Sequence, residues 1–105
     1  MPKFLAHAVL HRGKVYRNSI VEIVDGEVHI ARFDRELPST TFVPGLIAVC
    51  ASERVTDSVR GAMLYKVQSA PLIERAIMRL SEYLESSRLY VGDQDTPMLV
   101  LLPRK

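Results

Sequence analysis

The dipeptide Asp25-Gly26 most constrains what this chain can fold into. It separates two β-rich runs, 18–24 and 27–33. A two-residue type I′ turn needs positive φ at both central positions, a demand that Asp-Gly meets at little cost. With that turn in place, Val24 faces Glu27, Ile23 faces Val28, Glu22 faces His29 and Val21 faces Ile30. Side chains alternate along a strand, so Val21, Ile23, Val28 and Ile30 form one apolar face. Glu22 and His29 fall on the other face as a solvent-side pair.

The flanking chain supplies partners for this hairpin. Residues 3–10 are apolar on both faces, with Phe4, Ala6, Ala8 and Leu10 on one and Leu5, His7 and Val9 on the other. Such a strand is predicted to be central or sandwiched between layers. His11 to Lys14 reads as a turn, with Gly13 free to take positive φ. Val15-Tyr16 is predicted as a short return strand, and Arg17-Asn18 as its link to the hairpin. Asp34 to Ser39 is a polar loop with a proline near its end. Thr40 to Val43 is β-rich, Pro44-Gly45 is turn chemistry, and Leu46 to Ala51 is a short apolar run suited to a buried strand.

The pattern then becomes helical. Val55, Val59, Ala62 and Met63 follow the 3.6 period and predict a short helix over about 53–63, with Ser52 as its cap and Gly61 weakening its far end. Tyr65 to Gln68 reads as either a strand or a connector. Ser69-Ala70-Pro71 is predicted to open the main helix, about 70–87, because serine caps free amides and proline suits the first turn. Leu72, Ile73, Ala76, Ile77, Leu80, Tyr83 and Leu84 make its apolar stripe. Gly92 to Pro97 is a turn, and Met98 to Leu102 a final strand ended by Pro103. These elements predict one α+β domain over 1–105: a mostly antiparallel sheet or small sandwich, with the main helix across one face.

Charge and cysteine usage narrow the function classes. Fourteen basic and twelve acidic residues are interspersed, leaving a formal charge of +2 and no basic stripe of the kind that tracks nucleic acid. A single cysteine, Cys50, permits no internal disulfide and no cysteine-based zinc site within one chain. The first residues lack a signal-like apolar run, and no stretch approaches the ~20 apolar residues of a membrane span. The expectation is a cytoplasmic protein that engages neither nucleic acid nor membrane.

Candidate chemical groups are few. His7 and His11 share strand parity, but four residues in a strand span about 13 Å, too far to chelate one ion directly. His29 lies in the hairpin. Cys50 ends an apolar run, and a thiol there needs a cationic or helix-terminal environment to become a nucleophile. Asp93-Gln94-Asp95 offers two oxygen ligands but lacks the later acidic residues of a calcium loop. The remaining loop carboxylates, Asp34 and Glu36 among them, carry no spacing that pairs them. No catalytic, cofactor-binding or metal-ligating residue is therefore assigned.

The order Leu10-His11-Arg12-Gly13-Lys14-Val15-Tyr16, the Asp25-Gly26 hairpin and Phe42-Val43-Pro44-Gly45-Leu46-Ile47 resembles the N-terminal β-sandwich segment of metal-dependent amidohydrolases. In that family the Pro-Gly segment runs into a barrel strand followed by Asp-x-His-x-His, the metal ligands. The corresponding positions here are Ala48, Cys50 and Ser52, and too few residues follow for a barrel of roughly 250 residues. The resemblance, over about 5–47, thus implies the accessory sandwich without an active site.

Together these readings predict a non-enzymatic protein-interaction or self-association module, with a homodimer favoured. The apolar demand of two strands and one helix stripe exceeds what one helix covers, so either the short 53–63 helix covers the remainder or a second chain does, for which an edge near Met98 offers a docking place. The alternative is a small-molecule-binding or enzymatic domain whose polar site includes His7, His29 or Cys50. A deep pocket containing two or more of those groups favours the alternative, whereas a flat apolar patch or a paired edge strand favours self-association.

Overall fold

The computed structural model describes residues 2–33 and 39–104. Five strands, β1 (Lys3–His11), β2 (Lys14–Val24), β3 (Glu27–Arg32), β4 (Thr40–Ala51) and β5 (Pro97–Pro103), form one sheet in the order β3-β2-β1-β4-β5. Two helices, α1 (Asp57–Ser69) and α2 (Ile73–Ser86), lie between β4 and β5 in the chain. The architecture is α+β, as the periodicity predicts. The sheet is mixed, because β1 and β4 run parallel while the other three pairings are antiparallel.

The hairpin forms in the expected register: Val21 pairs with Ile30, Glu22 with His29, Ile23 with Val28 and Val24 with Glu27. Asp25 and Gly26 take φ of 51° and 79°, the double positive φ of a type I′ turn. The β1–β2 turn repeats this geometry at Arg12 and Gly13, with φ of 51° and 81°.

Elsewhere the strands run longer than expected, and one bend explains why. Val15-Tyr16 is no separate strand, since β2 continues through Arg17 and Asn18 into the hairpin. Pro44-Gly45 is no turn, since β4 passes through it. Along a line crossing Asn18, His7 and Pro44-Gly45, the β1–β4 register shifts between Ala6 and Ala8, and Asn18 adopts φ of 47°. Phe4 and Ala6 consequently pack on one face and Ala8 and Leu10 on the other, so the single face expected for these four residues is split. Gly45 is required at this line for another reason. A Cβ there would lie 2.3 Å from the Leu102 carbonyl oxygen, and the neighbouring Pro44 carbonyl accepts the Arg104 amide at 2.8 Å.

The helices also depart from the expected bounds. Ser52–Arg54 is a 3₁₀ turn, and Thr56 caps α1, its hydroxyl accepting from the Val59 amide at 3.1 Å. Ser52 is not the cap because its amide donates to the Thr96 carbonyl, continuing the β4 edge. Helix α1 runs on through Tyr65 to Gln68 and ends where Ser69 was expected to begin the next helix. Arg104 closes that end, its guanidinium donating to the Val67 and Ala70 carbonyls. Ala70, Pro71 and Leu72 then link to α2, so Pro71 precedes the helix rather than opening it.

Two cores result. On one face Ala8, Leu10, Leu46, Ala48, Cys50, Val100 and Leu102 pack against Met63 and Val67 of α1 and Ala76, Ile77, Leu80 and Leu84 of α2. On the opposite face Val9, Val21, Ile47, Val49 and Val91 gather, with the hairpin's Val28 and Ile30 against them. The sheet coils around this second core. The hairpin tip and the 91–97 loop stand at opposite edges of the strand order, yet they line one cavity. The loop 34–38, with Asp34 and Glu36, lies outside the described residues.

Candidate functional site

The three groups of the polar-site alternative are dispersed. Cys50 is buried on β4 beneath the helices, and burial pushes its thiol up to about 12, so it is neither a thiolate nor reachable. His7 is exposed and meets Phe42 edge-on at 5.4 Å between ring centres. His29 is exposed on β3, where its Nε2 lies 3.8 Å from a Glu27 oxygen rather than bonding to Glu22 opposite. No described cavity contains two of them, and no cluster of three metal-ligating side chains occurs among the described residues. Ala48 and Cys50 are core residues of β4, and Ser52 begins the 3₁₀ turn.

The polar constellation that does form lies at the end of the sheet where β1 and β4 finish and β5 begins. Its positions follow from strand geometry. Where β1 leaves the sheet at His11, the chain at Tyr90 takes its place beside β4, bridging to Cys50, and the Ala51 amide donates to the Leu89 carbonyl. The end of α2 therefore sits beside the β1–β2 turn. The helix closes in a Schellman arrangement: the Leu89 amide donates to the Leu84 carbonyl at 2.9 Å and the Arg88 amide to Glu85 at 3.2 Å. Arg88 occupies the left-handed position of that motif with φ of 54°.

Two adjoining recesses result. One, of about 360 Å³, is lined by His11, Arg12, Glu27, Asp93 and Asp95 with the hairpin tip. Here Arg12 Nη2 meets Asp93 at 3.1 Å. Asp95 accepts the Gly92 amide at 2.8 Å and pairs with Arg54 at 3.4 Å. His11 Nδ1 is buried without a hydrogen-bond partner among the described residues. Burial first, and the neighbouring Arg12 charge second, lower the His11 pKa. The other recess, a groove of about 380 Å³, is bordered by Arg12, Arg54, Arg88, Glu85, Leu84 and Tyr90. Arg54 donates from Nη1 to the Arg88 carbonyl at 2.7 Å.

Sequence reasoning pointed to Asp93 and Asp95 only as cation ligands, whereas both hold arginines. It missed the arginines themselves. A signal existed at Arg12, a bulky residue in a tight-turn position that favours Asn or Gly.

The sheet edges differ in character. Edge strand β3 carries Glu27, His29 and Arg32, whereas β5 is Pro-Met-Leu-Val-Leu-Leu-Pro with no charge. Charged side chains and prolines are the usual guards of an open edge, and on β5 only the two terminal prolines serve. Leu99 and Leu101 are partly exposed on its coiled-face side. No helix among the described residues is long and apolar enough to cross a membrane. No family model, curated protein or solved structure matches this chain.

Proposed function

We propose that the chain is a cytoplasmic self-association module, a homodimer joined through the free edge of β5. The observation that supports it is the symmetry of that edge. Pro97 and Pro103 bracket five apolar residues centred on Val100. An antiparallel pairing about Val100 sets Leu99 against the partner's Leu101, Met98 against the partner's Leu102, and proline against proline at both ends. A two-fold axis makes one patch its own complement, so a palindromic edge of this kind needs no second protein. The pairing also covers Leu99 and Leu101, which one chain leaves partly open. The likeness to the accessory β-sandwich of amidohydrolases belongs to the same reading, that of a β module without a metal centre.

Sedimentation equilibrium at micromolar concentration tests the dimer. The expected mass is twice the 11.8 kDa of the chain, and Leu101→Lys should return it to monomer. A clean monomer for the wild-type chain overturns the reading.

A further inference from the structure

We infer that the groove between the β1–β2 turn and the end of α2 binds a small organic phosphate, a monoester whose phosphoryl oxygens are taken by Arg12, Arg54 and Arg88. Three arginines are among the residues lining one recess in which Glu85 is the one carboxylate. A guanidinium presents paired N–H donors that match phosphate oxygens, and it stays charged at any physiological pH.

The backbone at two of these arginines carries the argument further. Arg12 and Arg88 both sit in the left-handed region, with φ of 51° and 54°. Arg12 is the first central residue of a type I′ turn, and Arg88 stands where a Schellman motif usually has glycine. Glycine or asparagine would hold either position at lower conformational cost, so the local fold gains nothing from an arginine there. Two such residues from separate elements converge on the same groove. Strain kept at a site points to a role for the side chain, and here the shared property is the cation.

The supporting contacts have the right form. Arg12 rests on Asp93, and Arg54 is held by Asp95 and by the Arg88 carbonyl through Nη1 and Nη2, contacts that leave its Nε uncommitted. Asp95 is itself fixed by the Gly92 amide. Carboxylates behind the arginines orient them without entering the groove. The half-buried Tyr90 supplies an apolar flank for the ester group, which is why an organic phosphate fits better than the bare ion.

Titration of the full chain with phenyl phosphate, followed by amide shifts in two-dimensional NMR, tests this. Saturable shifts are expected at Gly13, Tyr90 and Val91, with affinity about ten-fold or more above that for inorganic phosphate. Arg88→Gly and Arg12→Asn should each weaken binding at least about ten-fold while raising the melting temperature, because each relieves a left-handed arginine. Arg17→Gln, outside the groove, should leave the affinity unchanged. Four outcomes would overturn the proposal: no saturable shift at millimolar ester, inorganic phosphate binding as tightly as the ester, an equal loss in Arg17→Gln, or unaltered affinity in both groove variants.

Discussion

Gly26 and Gly61 show how the same chemical change takes opposite signs. A Cβ added at either meets nothing within 4 Å. Gly26 has φ of 79°, so a β-branched side chain there is strained whatever the space around it. Gly26→Val should cost about 1–3 kcal/mol, read as a lower denaturation midpoint at unchanged slope. An unmoved midpoint would be incompatible with the type I′ turn. Gly61 lies inside α1, where glycine only adds freedom to the unfolded chain, so Gly61→Ala should raise stability by about 0.5–1 kcal/mol. His11 brings pH into the balance. Its folded pKa is lowered below the ordinary 6.5, so the unfolded chain binds the proton more readily. Its contribution to stability is therefore complete above pH 6.5 and is lost as pH falls from there through the lowered folded value. Urea midpoints measured across that window should fall with acid, and His11→Phe should flatten the slope. A wild-type profile already flat there would refute the burial of its ring nitrogen.

At the scale of elements, what was legible in the sequence was what neighbours in the chain decide. Asp25-Gly26 sets its own hairpin, so the register from Val21 to Ile30 follows from local turn geometry. The α2 stripe from Ile73 to Leu84 likewise follows from one period. The bend through His7, Asn18 and Pro44-Gly45 was not legible, because it exists only once β2, β1 and β4 lie side by side. Gly45 reads as a turn residue in isolation, and only the approach of Leu102 and Pro103 reveals it as a packing requirement. Helix starts failed for related reasons: Ser52 is a good cap whose amide the β4 edge had already claimed through Thr96, and Ser69 is the last residue of α1. The groove was out of reach because Arg12, Arg54 and Arg88 are joined only by the end-to-end meeting of β1, the 3₁₀ turn and α2. Capping offers a direct check. Thr56→Ala should cost about 1 kcal/mol through loss of the bond to the Val59 amide, whereas Ser52→Ala should change stability by only a few tenths. Equal effects in thermal melts would mean that α1 begins earlier than Asp57.

Across the whole molecule, the decisive feature is that both cores hang on the same two strands. Along β4, Leu46, Ala48 and Cys50 face the helices, while Ile47 and Val49 alternate with them into the coiled face. Along β1, Leu10 and Val9 do the same. Neither face can lose its order without moving the strands that define the other, so the chain should unfold as one unit. Ile47 and Leu80 test this from opposite sides, since both are fully buried and each belongs to a different cluster. Truncation of either to alanine should cost about 2–5 kcal/mol. Tyrosines report on the two faces separately: Tyr16 packs against the coiled-face cluster and Tyr83 against the helix-side one. With fluorotyrosine incorporated, the ¹⁹F resonances of Tyr16 and Tyr83 and the helical circular dichroism should share one denaturation midpoint. That coincidence should hold in Ile47→Ala and Leu80→Ala alike. If Ile47→Ala melts the Tyr16 signal while the helical signal and Tyr83 keep the wild-type midpoint, the two faces fold independently and the coiled half of the sheet is a separate unit.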